Sequence, residues 1–203
     1  MKLSLETLTV TWHGETPLMC HRGGLANPLD PAARRIKKLS SKRRKTDEDY
    51  VDLAYAEFEG SFYWDDKHGP VVPTNNILST TIAGAKKSKM GREAALAIFV
   101  EGTEKTGDAG VVRIDYAGPR DIEGLWNGGQ GKHVSSELVT VNRAKIVRTR
   151  PIFPEWSVSF RAKFDPMVIN GDAVLKAMQD AGFYVGLCEW RPRCGRFSVE
   201  VLS

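Results

Sequence analysis

The chain has 203 residues, 41% apolar and 9% aromatic, enough to bury a core, which excludes wholesale disorder. No apolar run approaches the roughly 18 residues of a membrane span. The stretch from Met1 to Glu6 has no apolar signal region, so a cytoplasmic protein without a membrane partner is expected. The formal charge of +4 is uneven: Arg34 to Lys45 hold eight cations and no acid, and the other 21 cations face 25 acids. A local basic patch of this kind, more than the total charge, is the footprint of a nucleic-acid binder.

Residues 2–12 alternate through Leu3, Leu5, Leu8, Val10 and Trp12, with a phase shift at Glu6-Thr7, and predict a first strand with a bulge. Residues 20–45 read as a loop with a short basic helix from Pro31 to Leu39. Ile36 and Leu39 are its only apolar anchors, which predicts a mobile, solvent-facing arm carrying Arg43 and Arg44. Thr46 followed by Asp47, Glu48 and Asp49 is a helix start. That helix is expected to reach about Glu59, with Tyr50, Val51, Ala54, Tyr55 and Phe58 along one side. A hairpin is expected from Ser61–Trp64 to Val71-Val72.

A helix capped by Thr74 or Asn75 should run over 74–89, with Lys86, Lys87, Lys89 and Arg92 at its C-terminal end, where the helix dipole favours cations. Leu96 to Val100 predicts an inner strand and Val111 to Tyr116 a short one. Residues 134–150 predict a long strand or hairpin arm bearing Arg143, Lys145, Arg148 and Arg150. Trp156, Val158, Phe160, Ala162 and Phe164 alternate with Ser157, Ser159, Arg161 and Lys163, the sharpest period-two pattern in the chain. Asn170 caps a last helix, expected to close with Gly182 in a left-handed cap, and Phe197 to Leu202 read as a terminal strand.

Without its long insertions this order is βαββαβ, an α+β fold with a ferredoxin-like (RRM-like) core. The chain reads as a single domain, 1–203. One insertion, 13–73, carries the basic arm, a helix and a hairpin; the other, 101–155, carries a β arm.

Signs of catalysis are sparse. His13, His21, His68 and His133 are scattered, and no metal-ligand spacing, phosphate loop, dinucleotide fingerprint or nucleophile elbow is present, so no enzyme, metal or cofactor is expected. Cys20, Cys188 and Cys194 form no CxxC pair and predict neither a zinc site nor a disulfide framework.

The basic clusters carry more. Gly186 to Arg196 form a glycine-hinged loop with Trp190, Arg191, Arg193 and Arg196 just before the last strand. Guanidinium forks, backbone amides and a ring are the groups that hold phosphate backbones; a solvated surface loop would read the same. Trp190 is either a stacking platform or core, and Tyr184, Trp126 and Trp156 are further candidate rings, Trp156 being core by its alternation. Cationic grooves with aromatic platforms hold single strands.

These features together, with the first helix reached through Pro73 and carrying Ile82-Ala-Gly-Ala-Lys86, and the Arg193-Cys-Gly-Arg-Phe197 turn, resemble the RAMP superfamily, in particular backbone subunits of CRISPR effector complexes. The chain also looks like proteins encoded by bacteriophages. The insertions fall where that family carries finger-like and thumb-like extensions. The resemblance implies non-catalytic binding of single-stranded RNA, or DNA, as a head-to-tail homo-oligomer with further protein subunits. Carried over, it nominates Lys86, Lys87, Arg191, Arg193 and Arg196; Asn75 and Asn76 depart from the family's small hydroxyl residues. Some relatives cleave RNA with an aspartate after the first strand. Asp30 lies in the comparable loop, but nothing around it matches a motif. A phage structural or assembly protein that oligomerises through its inserted arms, without nucleic acid, is the alternative.

Overall fold

The computed structural model describes residues 4–103, 110–141 and 143–202. It is a mixed α+β structure with several antiparallel sheets. Two compact units emerge: Met1–Leu18, Trp64–Ala117 and Glu155–Ser203 form the first, Met19–Tyr63 and Gly118–Pro154 the second. In chain order the elements are β1 (Glu6–Gly14), β2 (Leu18–Met19), α1 (Pro31–Ser40), α2 (Asp47–Ser61), β3 (Trp64–Asp65), β4 (Gly69–Pro73) and α3 (Thr74–Ala85). They continue with α4 (Gly91–Ala97), β5 (Ile98–Gly102), β6 (Val111–Arg113), α5 (Ile122–Trp126), β7 (Val134–Val141), β8 (Ala144–Phe153), β9 (Ser157–Phe164), α6 (Gly171–Tyr184) and β10 (Phe197–Val201).

In the first unit, alternation builds a four-stranded antiparallel sheet of order β10-β1-β9-β5. Val10, Trp12, Val158, Phe160, Ala162 and Phe164 are buried among Ile77 and Ala85 of α3 and Val174, Ala177, Met178 and Ala181 of α6. Trp12 stacks on Phe197 at 3.9 Å and meets Phe160 edge-on at 5.0 Å. Each such large side chain contributes about 1.5–3 kcal/mol by burial. The opposite positions of β9, Arg161 and Lys163, both pair with Glu101 of β5. A smaller sheet, β3-β4-β6, completes this unit.

Several expectations change here. Residues 6–13 pair one-to-one with β9, so the phase shift at Glu6-Thr7 marks the start of the strand, and no bulge is present; Leu5 is exposed. Residues 2 and 3 lie outside the described residues. The helix beginning at Thr74 has no side-chain cap; Thr74 instead donates from its amide and its hydroxyl to the Gly110 carbonyl oxygen. Its α-helical part ends at Ala85, and Lys86–Ser88 continue as one 3-10 turn. Gly182 is not a left-handed cap: α6 runs on to Tyr184, and Gly182 is buried where a Cβ would stand 2.1 Å from the Phe197 carbonyl oxygen.

In the second unit, β7 and β8 form a hairpin, and Cys20 donates its amide to the Pro151 carbonyl oxygen. Phe58 of α2, Phe62 just after it, Trp126 of α5 and Phe153 of β8 form an aromatic core. Thr46 and Asp49 make a reciprocal capping box at the start of α2. Tyr50 and Val51 are exposed, contrary to the expected apolar side, because α2 is buried along its C-terminal part, at Ala56, Glu57, Phe58, Gly60 and Ser61.

The expected arm is α1 and a short connection. Asp30 accepts from the amides of Ala32 and Ala33 and from Arg22, which starts the helix. A Cβ at Gly60 would lie 3.1 Å from the Ala32 Cβ and 3.4 Å from Ile36 Cδ1, so the missing side chain is the seat on which α1 rests. Two apolar anchors suffice because the cap and the glycine seat supply the rest.

Candidate nucleic-acid interface

The loop foretold by Gly186 to Arg196 is closed at its base by backbone groups. Leu187 donates to Gly195 at 2.8 Å, Cys194 to Trp190 at 2.9 Å, and Gly195 to Pro17 at 2.9 Å. Both hinge glycines are left-handed, Gly186 at φ 82 and Gly195 at φ 77. A Cβ at 195 would stand 2.0 Å from the Leu187 carbonyl oxygen, and one at 186 would stand 2.7 Å from that of Cys194. Glycine is therefore required twice. Cys188 and Trp190 also sit at positive φ, a conformation that is uncommon away from glycine and concentrated at functional loops. Arg191 and Arg193 are exposed, and the Arg193 guanidinium lies 5.2 Å from the half-buried Trp190 ring.

Beside this loop α6 ends in two adjacent rings, Phe183 and Tyr184, 59% and 51% exposed, whose centroids are 4.7 Å apart in an edge-on arrangement. A cation flanks each. The Lys87 ammonium is 4.4 Å from the Tyr184 ring, and the Arg196 guanidinium is 5.0 Å from that of Phe183. Lys87, Tyr184, Phe183 and Arg196 thus form a strip of two adjacent rings with a cation at each end. Cations over exposed rings are attracted by about 0.5–1 kcal/mol each, which orders them with little loss of access. Arg196 is further set by its amide, which donates to Thr16 Oγ1 at 2.9 Å, and by Glu15 at 3.7 Å, while its Nε is buried without a hydrogen-bond partner. Lys86 and Lys89 are exposed on the turn that carries Lys87, Lys89 at φ 62.

The remaining expected residues belong to the second unit. Arg148 donates to Glu57, a carboxylate only 6% exposed that also accepts the Thr149 amide at 2.9 Å. Its guanidinium is engaged inside the unit. Arg150, on the same hairpin strand, borders a cavity together with Arg148. Arg43 and Arg44 are exposed on the connection from α1 to α2, where Lys42 pairs with Asp49 and Lys45 donates to the Ser40 and Lys42 carbonyl oxygens. Trp126 and Trp156 are buried and offer no platform. Asp30 is the cap of α1; the hydrogen bond from Arg22 and the amides of Ala33 and Ala32 hold its carboxyl below the usual carboxylate value against some desolvation.

Sequence reasoning named Tyr184 but missed Phe183. Helix geometry prevents two consecutive aromatics from both entering the core, so at least one had to be exposed, but the pattern does not say which. Among the described residues no group of three His, Cys, Asp or Glu side chains is placed to hold a metal, and no helix is long and apolar enough to cross a membrane. Neither the protein-family models nor the curated proteins contain a match to this chain.

Proposed function

We propose that the protein binds single-stranded nucleic acid, RNA ahead of DNA, along its phosphate backbone and without cleaving it, as a repeating RAMP-like subunit of an oligomer. The observation that carries this reading is the strip Lys87, Tyr184, Phe183, Arg196, which sets two adjacent rings suited to base stacking between two cations suited to phosphates. The loop beside it, closed at its base by backbone hydrogen bonds, adds the exposed Arg191 and Arg193. The strand order β10-β1-β9-β5, with α3 and α6 against one face, supports a ferredoxin-like core and with it the family resemblance. The preference for RNA rests on that resemblance alone.

The test is fluorescence anisotropy with labelled single-stranded RNA, single-stranded DNA and duplex at low salt. Binding of single strands in preference to duplex is expected, because only unpaired bases offer their faces to Phe183 and Tyr184. No binding of any strand would overturn the reading.

One observation favours the assembly alternative. Leu138 and Val147 are register partners on the hairpin, 60% and 57% exposed, an apolar pair suited to a protein neighbour. Light scattering of nucleic-acid-free protein separates the two: a defined oligomer that ignores RNA supports assembly alone.

A further inference from the structure

The second unit holds a cavity of about 680 Å³, within the ~300–1,000 Å³ range of small-molecule sites. Its walls divide by chemistry. Ala33, Ile36, Lys37 and Ser40 of α1 line one side, spaced so that they share one face of the helix. Arg148, Thr149 and Arg150 of β8 form another, and Leu25 and Pro28 add apolar surface. Four cations line the cavity, Arg22, Lys37, Arg148 and Arg150, against a single carboxylate, Glu57. Glu57 is already taken by Arg148 and the Thr149 amide, so it is poorly placed to receive a cationic ligand. Even with Asp30 balancing Arg22 and Glu57 balancing Arg148, Lys37 leaves the wall net positive.

We propose that this cavity binds a small organic phosphate of nucleotide size, its phosphate toward Lys37 and its ring against Leu25 and Ile36. An apolar wall beside a cationic one requires a ligand with both an apolar body and an anionic end, which inorganic phosphate lacks. His21 Nδ1 and Ser61 Oγ, 3.4 Å apart and both lining the cavity, add hydrogen-bonding groups of the kind that meet a sugar hydroxyl or a base edge. This site is separate from the strip on α6 and does not depend on it.

The experiment is NMR or calorimetric titration of the full chain with adenosine 5′-monophosphate, adenosine and inorganic phosphate, on the native protein and on Lys37→Glu and Lys37→Gln. Lys37 is exposed on α1, so both variants should fold. The nucleotide should bind, adenosine and phosphate alone should bind about tenfold more weakly, and each variant should weaken the nucleotide about tenfold. A 5′-phosphorylated trinucleotide and its 5′-hydroxyl counterpart distinguish the source. Competition by the phosphorylated form alone assigns the site to a strand end, and competition by neither assigns it to a free nucleotide. Equal binding of adenosine and its monophosphate would overturn the proposal. So would nucleotide binding that is unchanged in both Lys37 variants, or that is lost in Tyr184→Ala, which would place it on the strip.

Discussion

Gly84 of α3 and Ala177 of α6 meet backbone to backbone: a Cβ on Gly84 would stand 2.1 Å from the Ala177 carbonyl oxygen and 2.6 Å from the Ala181 amide nitrogen. Neither atom belongs to a side chain that can turn aside. The close approach of α3, which leads into the 3-10 turn of Lys87, to α6, which carries Tyr184, therefore depends on the absence of one methyl group. Gly84→Ala should cost about 1–3 kcal/mol through overpacking and lower the urea midpoint accordingly. An unchanged midpoint would mean that the helices separate at no cost.

The pair Arg148–Glu57 gives a second expectation. Removing Arg148 leaves a buried carboxylate with the Thr149 amide as its remaining hydrogen-bond donor in that pairing. Arg148→Ala should therefore destabilise by about 1–2 kcal/mol, at the low end for a charged partner because water reaches the guanidinium. Binding of single strands should stay unchanged. Weakened binding at full stability would make Arg148 a nucleic-acid contact.

The rings on α6 should matter without supporting the fold. Phe183→Ala and Tyr184→Ala each remove about 1–3 kcal/mol of stacking, about 5- to 150-fold in affinity, while the melting temperature stays within a few degrees. Anisotropy and calorimetry on the same samples check both. Full affinity in the double variant would remove the strip from the account.

His133 makes stability pH-dependent. Burial holds its imidazole below the ordinary value of 6.5; the Nδ1–H bond to the Ile152 carbonyl oxygen opposes that shift, and Lys132 adds to it. The unfolded chain therefore takes the proton at a higher pH than the folded one. The stability contribution is complete above about pH 6.5 and declines as pH falls from there toward the folded value. His133→Leu should flatten this part of the denaturation profile. An equally steep decline in the variant would assign the effect to other groups.

Much of the sheet was legible because period-two alternation survives on strands buried on one face: the alternation over 156–164 became β9 at Ser157–Phe164, and the terminal strand expected over 197–202 became β10. Asn170 announced its helix through a cap that needs only local chemistry, accepting the Ala173 amide. Short elements were invisible for a physical reason. Residues 91–97, expected in part as the start of an inner strand, form α4, a seven-residue helix, and α5 has five residues; neither is long enough for a periodic apolar face. The seat of α1 on Gly60 and the contact of Gly182 with Phe197 depend on which distant backbone comes close, and residue type alone does not encode that. Arg148 illustrates the same limit at the candidate site: its partner Glu57 lies 91 positions away. The basic clusters were visible as composition, whereas the pairing of Lys87 with Tyr184 and of Arg196 with Phe183 needed the packing of the 3-10 turn against α6.

The most direct test of the strip is the salt dependence of single-stranded RNA binding by the native protein and by Lys87→Ala. If the cations of the strip and the adjoining loop neutralise phosphates, log K should fall linearly with log salt, with a slope of about −0.7 for each phosphate neutralised. Lys87→Ala should reduce that slope by about 0.7 while the protein remains folded. A flat salt dependence, or a steep one that Lys87→Ala leaves unchanged, would contradict the account.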